Sequence, residues 1–169
     1  SGPDTDQLER ILKRGKPVTL KMDIKTQDMG EVTTYSVIGE ITGRQAPDEI
    51  VVIGGHLDSW DLGTGAIDDG AGVAITMATA AFIRDILKER PRRTIRVVLF
   101  AAEEIGLYGG KQYAANRKDA MKNNIIGSES DFGAGKVWAL SSKVSTNSVH
   151  VVDTMMALMA PLGVVRSPD

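Results

Sequence analysis

Cysteine is absent from the 169 residues, which excludes disulfides and metal sites built on thiolates. Histidine occurs only twice, at 56 and 150, so any metal here has to be held largely by Asp and Glu. No apolar run approaches the ~18 residues of a membrane span, and no signal-peptide pattern opens the chain. A net charge of −2 gives no reason to expect nucleic acid or an anionic membrane as a partner. Repeats, low-complexity segments and interdomain linkers are also missing. What remains is ordinary for a globular domain: 42% hydrophobic and 25% charged residues, in a chain long enough for one sizeable core.

One stretch organises the rest, Val51 to Gly72, VVIGGHLDSWDLGTGAIDDGAG. The β-branched run Ile50–Ile53 is typical of a strand buried on both faces. Two glycines then deliver His56 and Asp58 at its end. A glycine-rich loop presents Asp68 and Asp69 just before a long apolar helix. Open α/β sheets place their active sites at such carboxyl ends of strands.

In chain order, Ser1 to Arg14 reads as a leader running into a helix, capped by Asp4 or Thr5 and striped by Leu8, Ile11 and Leu12. Pro17–Ile24 and Thr33–Thr42 read as strands, with Lys25–Glu31 as the hairpin loop between them. Asp69–Arg90 carries a helical pattern ended by Pro91. Thr94–Phe100 is a second buried strand, terminating in Ala101-Ala102-Glu103-Glu104. A turn around Gly106 and Gly109-Gly110 leads to a short helix by Ala115. Asn124–Ser130 is a third strand ending in ESDFG, and Val137–Leu140 a short fourth. Thr146–Met159 is a helix stopped by Pro161 and Gly163. Strands alternating with helices predict an α/β fold with a largely parallel sheet.

Three strands thus end in His56 with Asp58, in Glu103 with Glu104, and in Asp131. Brought together, these carboxylates would repel one another strongly unless a cation neutralised them. Oxygen-rich ligation with imidazole and no sulfur suits zinc or manganese, and several carboxylates beside few histidines suit two metals sharing a bridge. Asp58, two residues from His56 on the same strand face, is placed to accept the second imidazole N–H. Duller roles exist for each residue: a core histidine, a helix cap at Asp69, a solvated Glu103-Glu104 pair, Asp-x-Gly turn chemistry at Asp131. His150, among Val149, Val151 and Val152, reads as structural. A phosphate-binding loop over Gly63–Gly72 is the poorer alternative. Its spacing does not match G-x-G-x-x-G, no lysine follows, and Asp68 and Asp69 would sit where phosphate lies. A non-catalytic metal-binding or interaction module on the same fold is the other reading.

GGHLDSWDLGTGAIDDGAG, LFAAEEIGLYGG and ESDFG resemble the three signature segments of the co-catalytic zinc exopeptidases related to aminopeptidase Y, most of all the plasma glutamate carboxypeptidase branch. The similarity runs from about Leu8 to Gly163. It implies a three-layer αβα sandwich with a mixed, largely parallel central sheet and an amino- or dipeptidase activity on short peptides. It further implies that His56 and Asp131 ligate one zinc, with Asp58 orienting the imidazole. Asp68 bridges both metals, with a cis peptide bond to Asp69. Glu104 ligates the second zinc, and Glu103 is the general base toward the bridging water.

The same resemblance carries a departure. The family's second zinc takes another histidine from a loop downstream of the segment matching this chain's end, and His150 does not occupy that motif. Residues 1–14 then look like the return from an inserted domain, and 15–169 like a catalytic domain incomplete at its C-terminus. The expectation is two zinc ions in a complete site but one or none here, with weak or no activity. Self-association through a bared side is expected too, as is a parent that is secreted or periplasmic.

Overall fold

The computed structural model describes residues 2–131 and 133–167. Phe132 of the ESDFG segment and residues 1, 168 and 169 lie outside the described residues. The chain divides into two compact units, residues 1–33 and 34–169.

In the first unit, helix α1 (Gly2–Leu12) starts before the expected caps Asp4 and Thr5, so these lie inside its first turns. Leu8 and Ile11 are half-buried and Leu12 is exposed. The expected strand over Pro17–Ile24 does not form; the backbone there is irregular. Its alternation describes a face suited to a sheet, yet no strand among the described residues lies alongside to complete the ladder. Leu20, Met22 and Ile24 therefore stay exposed. The expected hairpin loop Lys25–Glu31 accordingly joins no pair of strands; within it Gly30 has φ 81 and donates its N–H to Asp28 Oδ1 at 2.8 Å.

The second unit is built on a four-stranded sheet in the order β1-β3-β2-β4. β1 (Val37–Ile41) is shorter than the expected Thr33–Thr42 and runs antiparallel to β3 (Arg93–Phe100). β2 (Ala46–His56) lies in the middle, parallel to β3 and to β4 (Asn124–Glu129). Central position explains its near-continuous run of apolar residues, because both faces are covered.

Helix α2 (Gly70–Ile86) covers one face of β2. It ends earlier than the expected Arg90, because Leu87 already adopts an extended backbone, which leaves Lys88–Arg90 as the approach to Pro91. A methyl group on Gly55 would come within 3.0 Å of Val73 N and 2.7 Å of Asp69 Oδ2, so the strand can approach the helix only without a side chain. Thr76 Oγ1 donates to Gly54 O at 2.8 Å and ties the two together. On the opposite face, Ile50, Val52 and Val98 pack with Tyr113 of α3 (Tyr108–Asn116). The Phe100 ring meets Tyr113 edge-on at 6.0 Å. A helix thus lies on each side of the sheet, giving the expected αβα layering.

Downstream, β5 (Ala139–Leu140) pairs in parallel with β6 (Val165–Arg166) in a separate two-stranded sheet. The expected helix over Thr146–Met159 opens as a 3₁₀ turn at Thr146–Ser148 and continues as α4 (Val149–Met159). His150 lies in its first turn and faces solvent. That corrects the expectation of a structural side chain within an apolar face; here Val152 is the buried residue.

Candidate metal centre

The three parallel strands of the sheet end at one rim. His56 closes β2, Glu103 and Glu104 follow β3, and Asp131 follows β4. Two hydrogen bonds hold the strand ends in register: Leu57 N–H to Phe100 O at 2.7 Å and Ser130 N–H to Gly54 O at 3.1 Å.

His56 is 1% exposed. Its Nδ1 lies 2.8 Å from the backbone carbonyl of Asp58, a pairing that requires the proton on Nδ1 and leaves Nε2 as the open lone pair when the ring is neutral. Nε2 faces Asp68 Oδ1 at 3.0 Å and Asp131 Oδ1 at 3.3 Å. One donor atom from each of these three residues lies within 4.8 Å of the other two. Burial opposes a charge on the imidazole. The Asp58 carbonyl and the Asp69, Asp131 and Asp68 carboxylates outweigh it, so the His56 pKa is raised from 6.5.

Asp58 works differently from its sequence expectation. The ring is held by its carbonyl oxygen, with the nearest recorded carboxylate contact at 3.7 Å. The carboxylate instead accepts the backbone N–H groups of Glu103 at 2.9 Å and Glu104 at 3.1 Å. It thereby sets the loop after β3, where Ala102 takes a left-handed φ of 52, a backbone state costly for a residue with a Cβ. Leu107 and Gly106 close that loop by donating to Glu103 O at 2.7 and 2.9 Å.

Asp69 is the other buried anchor, 1% exposed. Oδ1 caps α2 by accepting from Gly72 N at 3.0 Å, and Oδ2 accepts from His56 N at 2.8 Å. The cap role is the one read from its sequence position; the hold on His56 has no sequence signature. Gly72 leaves no room for a Cβ against Ser130 O and the Asp69 carboxylate, which explains the glycine in DDGAG. Burial pushes the Asp69 carboxyl upward despite the two amide donors. The Asp68–Asp69 peptide bond is cis, as the resemblance implies.

Asp68, Glu103, Glu104 and Asp131 line one cleft of about 360 Å³ with Ile67 and Gly133. Among the described residues no lysine or arginine lines it. Desolvation and then the Asp68 charge raise the Glu104 pKa, against His56 and a hydrogen bond from Trp60. Glu129, closing β4, is raised too, by desolvation first and then by Asp131 and Glu103. Acids crowded together in this way form an electrostatic trap for a cation. The donor set fits zinc: one imidazole nitrogen with a free lone pair, carboxylate oxygens within reach of it, and a carbonyl fixing the tautomer behind it. All six residues singled out in the sequence meet at this rim. Glu103 and Glu104 lie in the cleft but outside the tight His56–Asp68–Asp131 group, and His150 lies on α4.

An αβα domain that gathers imidazole and carboxylates at the carboxyl ends of parallel strands has the architecture of a metallopeptidase. The chain belongs to Peptidase family M28, whose pattern matches residues 36–169. Carboxypeptidase Q of Bos taurus is 32% identical over 163 residues, 96% of this chain but 34% of its own length. The Pongo abelii carboxypeptidase Q is 34% identical with the same coverage. Among solved structures, a Peptidase M28 precursor from Shewanella amazonensis SB2B has 49% sequence identity and a TM-score of 0.85. That match covers 97% of this chain and 37% of the Shewanella chain. A zinc aminopeptidase from Bacillus subtilis matches 78% of this chain and 33% of its own at 22% identity, TM-score 0.62, a likeness of fold alone. The chain therefore spans about a third of the length of these relatives.

Proposed function

We propose that this chain is part of a zinc-dependent exopeptidase that hydrolyses a terminal peptide bond of short peptides. The observation that carries the reading is the buried His56 presenting Nε2 to Asp68 and Asp131, which line one cleft with Glu103 and Glu104. His56 and Asp131 would hold one zinc, Asp68 would be shared, and Glu104 would hold the second. When bound, zinc acidifies a water and polarises the scissile carbonyl.

The remaining work belongs to the chain itself. Glu103, fixed through its backbone N–H by Asp58, takes the proton of the attacking water. As the C–N bond breaks it returns that proton to the leaving amine. Asp58 and Asp69 position the ligands and touch no substrate. Within this reading, residues 1–14 are the return from an inserted domain and the second zinc needs a ligand from outside the chain, so the isolated chain is a poor catalyst. Exposed Ile75, Met77, Phe82 and Ile86 on α2 support self-association of the isolated chain.

The test is zinc stoichiometry by calorimetry, together with hydrolysis of dipeptides and aminoacyl-anilides by the isolated chain and by the full-length protein. Zinc binding that His56→Ala abolishes, with turnover in the full-length protein, supports the reading. A non-catalytic module would bind zinc in the full-length protein and hydrolyse nothing. Turnover by the isolated chain within tenfold of the full-length protein would show that no outside ligand is needed.

A further inference from the structure

A second cleft of about 350 Å³ adjoins the first and shares Ile67, Asp68 and Glu104 with it. Its other walls come from the loop between His56 and Asp68, with Trp60, Thr64 and Ala66 among them. Apart from the two shared carboxylates, no charged residue among the described residues lines it. Trp60 and Ile67 are 62% and 60% exposed. Single exposed apolar side chains need no explanation, but two that wall one concavity beside convergent polar groups form a ligand site.

The loop is fixed in shape. Gly63 N–H donates to Trp60 O at 3.0 Å, Gly70 N–H donates to Gly65 O at 2.7 Å, and Gly65 takes a left-handed φ of 63. Trp60 and Glu104 both line this cleft, so the ring stands beside the acid that the two clefts share. A peptide whose scissile carbonyl lies among Asp68, Glu103, Glu104 and Asp131 has a neighbouring side chain within reach of this space.

We infer that the Trp60–Ile67 cleft is the specificity pocket of this peptidase and takes an aliphatic or aromatic side chain from one of the two residues flanking the scissile bond. This rests on the peptidase reading above. An acidic side chain finds no lysine or arginine there and meets Asp68 and Glu104, while a small one leaves the indole face wet. Trp60 is accordingly a specificity-determining residue.

The experiment uses zinc-loaded full-length protein and two series of hydrolysis-resistant reduced dipeptides, in which one position is varied through Ala, Leu, Phe and Glu. Dissociation constants come from calorimetry, and kcat/KM from the matching true dipeptides. At one of the two positions, Leu and Phe should bind at least tenfold tighter than Ala, and Glu weaker than Ala; burying a leucine-sized side chain is worth that factor or more. Trp60→Ala should bring the Leu-to-Ala ratio below about threefold, whereas Trp60→Phe, which keeps the wall and loses the N–H, should preserve it. Thr64→Trp, which fills the cleft from another wall, should cost Leu and Phe at least tenfold and spare Ala, and it serves if Trp60→Ala fails to fold. Hydrolysis with no apolar preference at either position, or a preference that survives both Trp60→Ala and Thr64→Trp, overturns the inference and leaves the peptidase reading standing. Absence of zinc binding and of hydrolysis in the wild type would overturn the peptidase reading, and the pocket assignment with it.

Discussion

Asp58 Oδ1 accepts the backbone N–H of Glu103 at 2.9 Å, and its second oxygen takes the N–H of Glu104. One carboxylate at the end of β2 therefore sets the backbone that carries both glutamates after β3. Asp58→Ala should leave the carbonyl contact to His56 Nδ1 in place and free the Glu103–Glu104 backbone. We expect the His56 tautomer, read by ¹⁵N chemical shifts of the ring, to be unchanged. Turnover of the full-length protein should fall by about 10–100-fold, the range for losing a group that orients a ligand. A changed tautomer with unaffected turnover would return Asp58 to the ring-orienting role its spacing suggests.

The two glutamates should separate cleanly. In full-length protein, Glu103→Gln is expected to keep zinc affinity near wild type and cut kcat by about 10²–10⁴, the range for lost acid–base catalysis. Glu104→Gln should lower zinc occupancy, measured by metal analysis after dialysis. Reversed behaviour would exchange their roles.

Protonation gives a pH dependence with one sign. His56, Asp69 and Glu104 all have folded pKa values above their ordinary 6.5, 3.8 and 4.5. Metal-free folded protein therefore binds more protons than the unfolded chain between each ordinary value and the folded one. That stabilisation is complete below the ordinary values and is lost as pH rises through the folded ones. Metal-free protein should therefore lose melting temperature through these groups as pH rises past their ordinary values of 3.8, 4.5 and 6.5. Zinc competes with the same protons, so its apparent affinity should rise with pH, and saturating zinc should flatten or reverse the trend. Melting curves at several pH values with zinc and with chelator check this.

Removing the buried anchor should cost stability before chemistry. Asp69→Ala leaves the N–H groups of His56 and Gly72 buried without an acceptor, at about 1–3 kcal/mol for each unmet group, and removes a helix cap. We expect a loss of roughly 2–4 kcal/mol in denaturant unfolding of the metal-free protein. A loss below about 0.5 kcal/mol, the range of ordinary surface changes, would mean that neither N–H depends on it.

How legible this was in the sequence differs by element. Ile50–Ile53 and Thr94–Phe100 gave away their strands because central parallel strands are apolar on both faces; Asn124–Ser130 ends the sheet order and is largely exposed, and in all three the chemistry-bearing residues follow directly. Pro17–Ile24 misled because alternation records what a segment could pair with, while a strand exists only with a partner beside it. His150 misled in a related way: valines on either side mark an apolar helix, but its own position in the first turn faces solvent. Asp58 was found and its atom was not, because a spacing of two says which face is shared and nothing about carbonyl against carboxylate. Trp60 was passed over because one aromatic in a glycine-rich loop has no period. Its meaning comes from Ile67 and Glu104 closing the same space.

The carboxylate of Asp69 joins the end of β2 to the first turn of α2, since one oxygen holds His56 N–H and the other Gly72 N–H. Neither proton can exchange with solvent until that carboxylate lets go, so the two amides should share one opening event. Deuterium uptake at His56 then becomes a clock for the fraying of a helix to which it does not belong, and occupation of the cleft by a cation should slow both readings together.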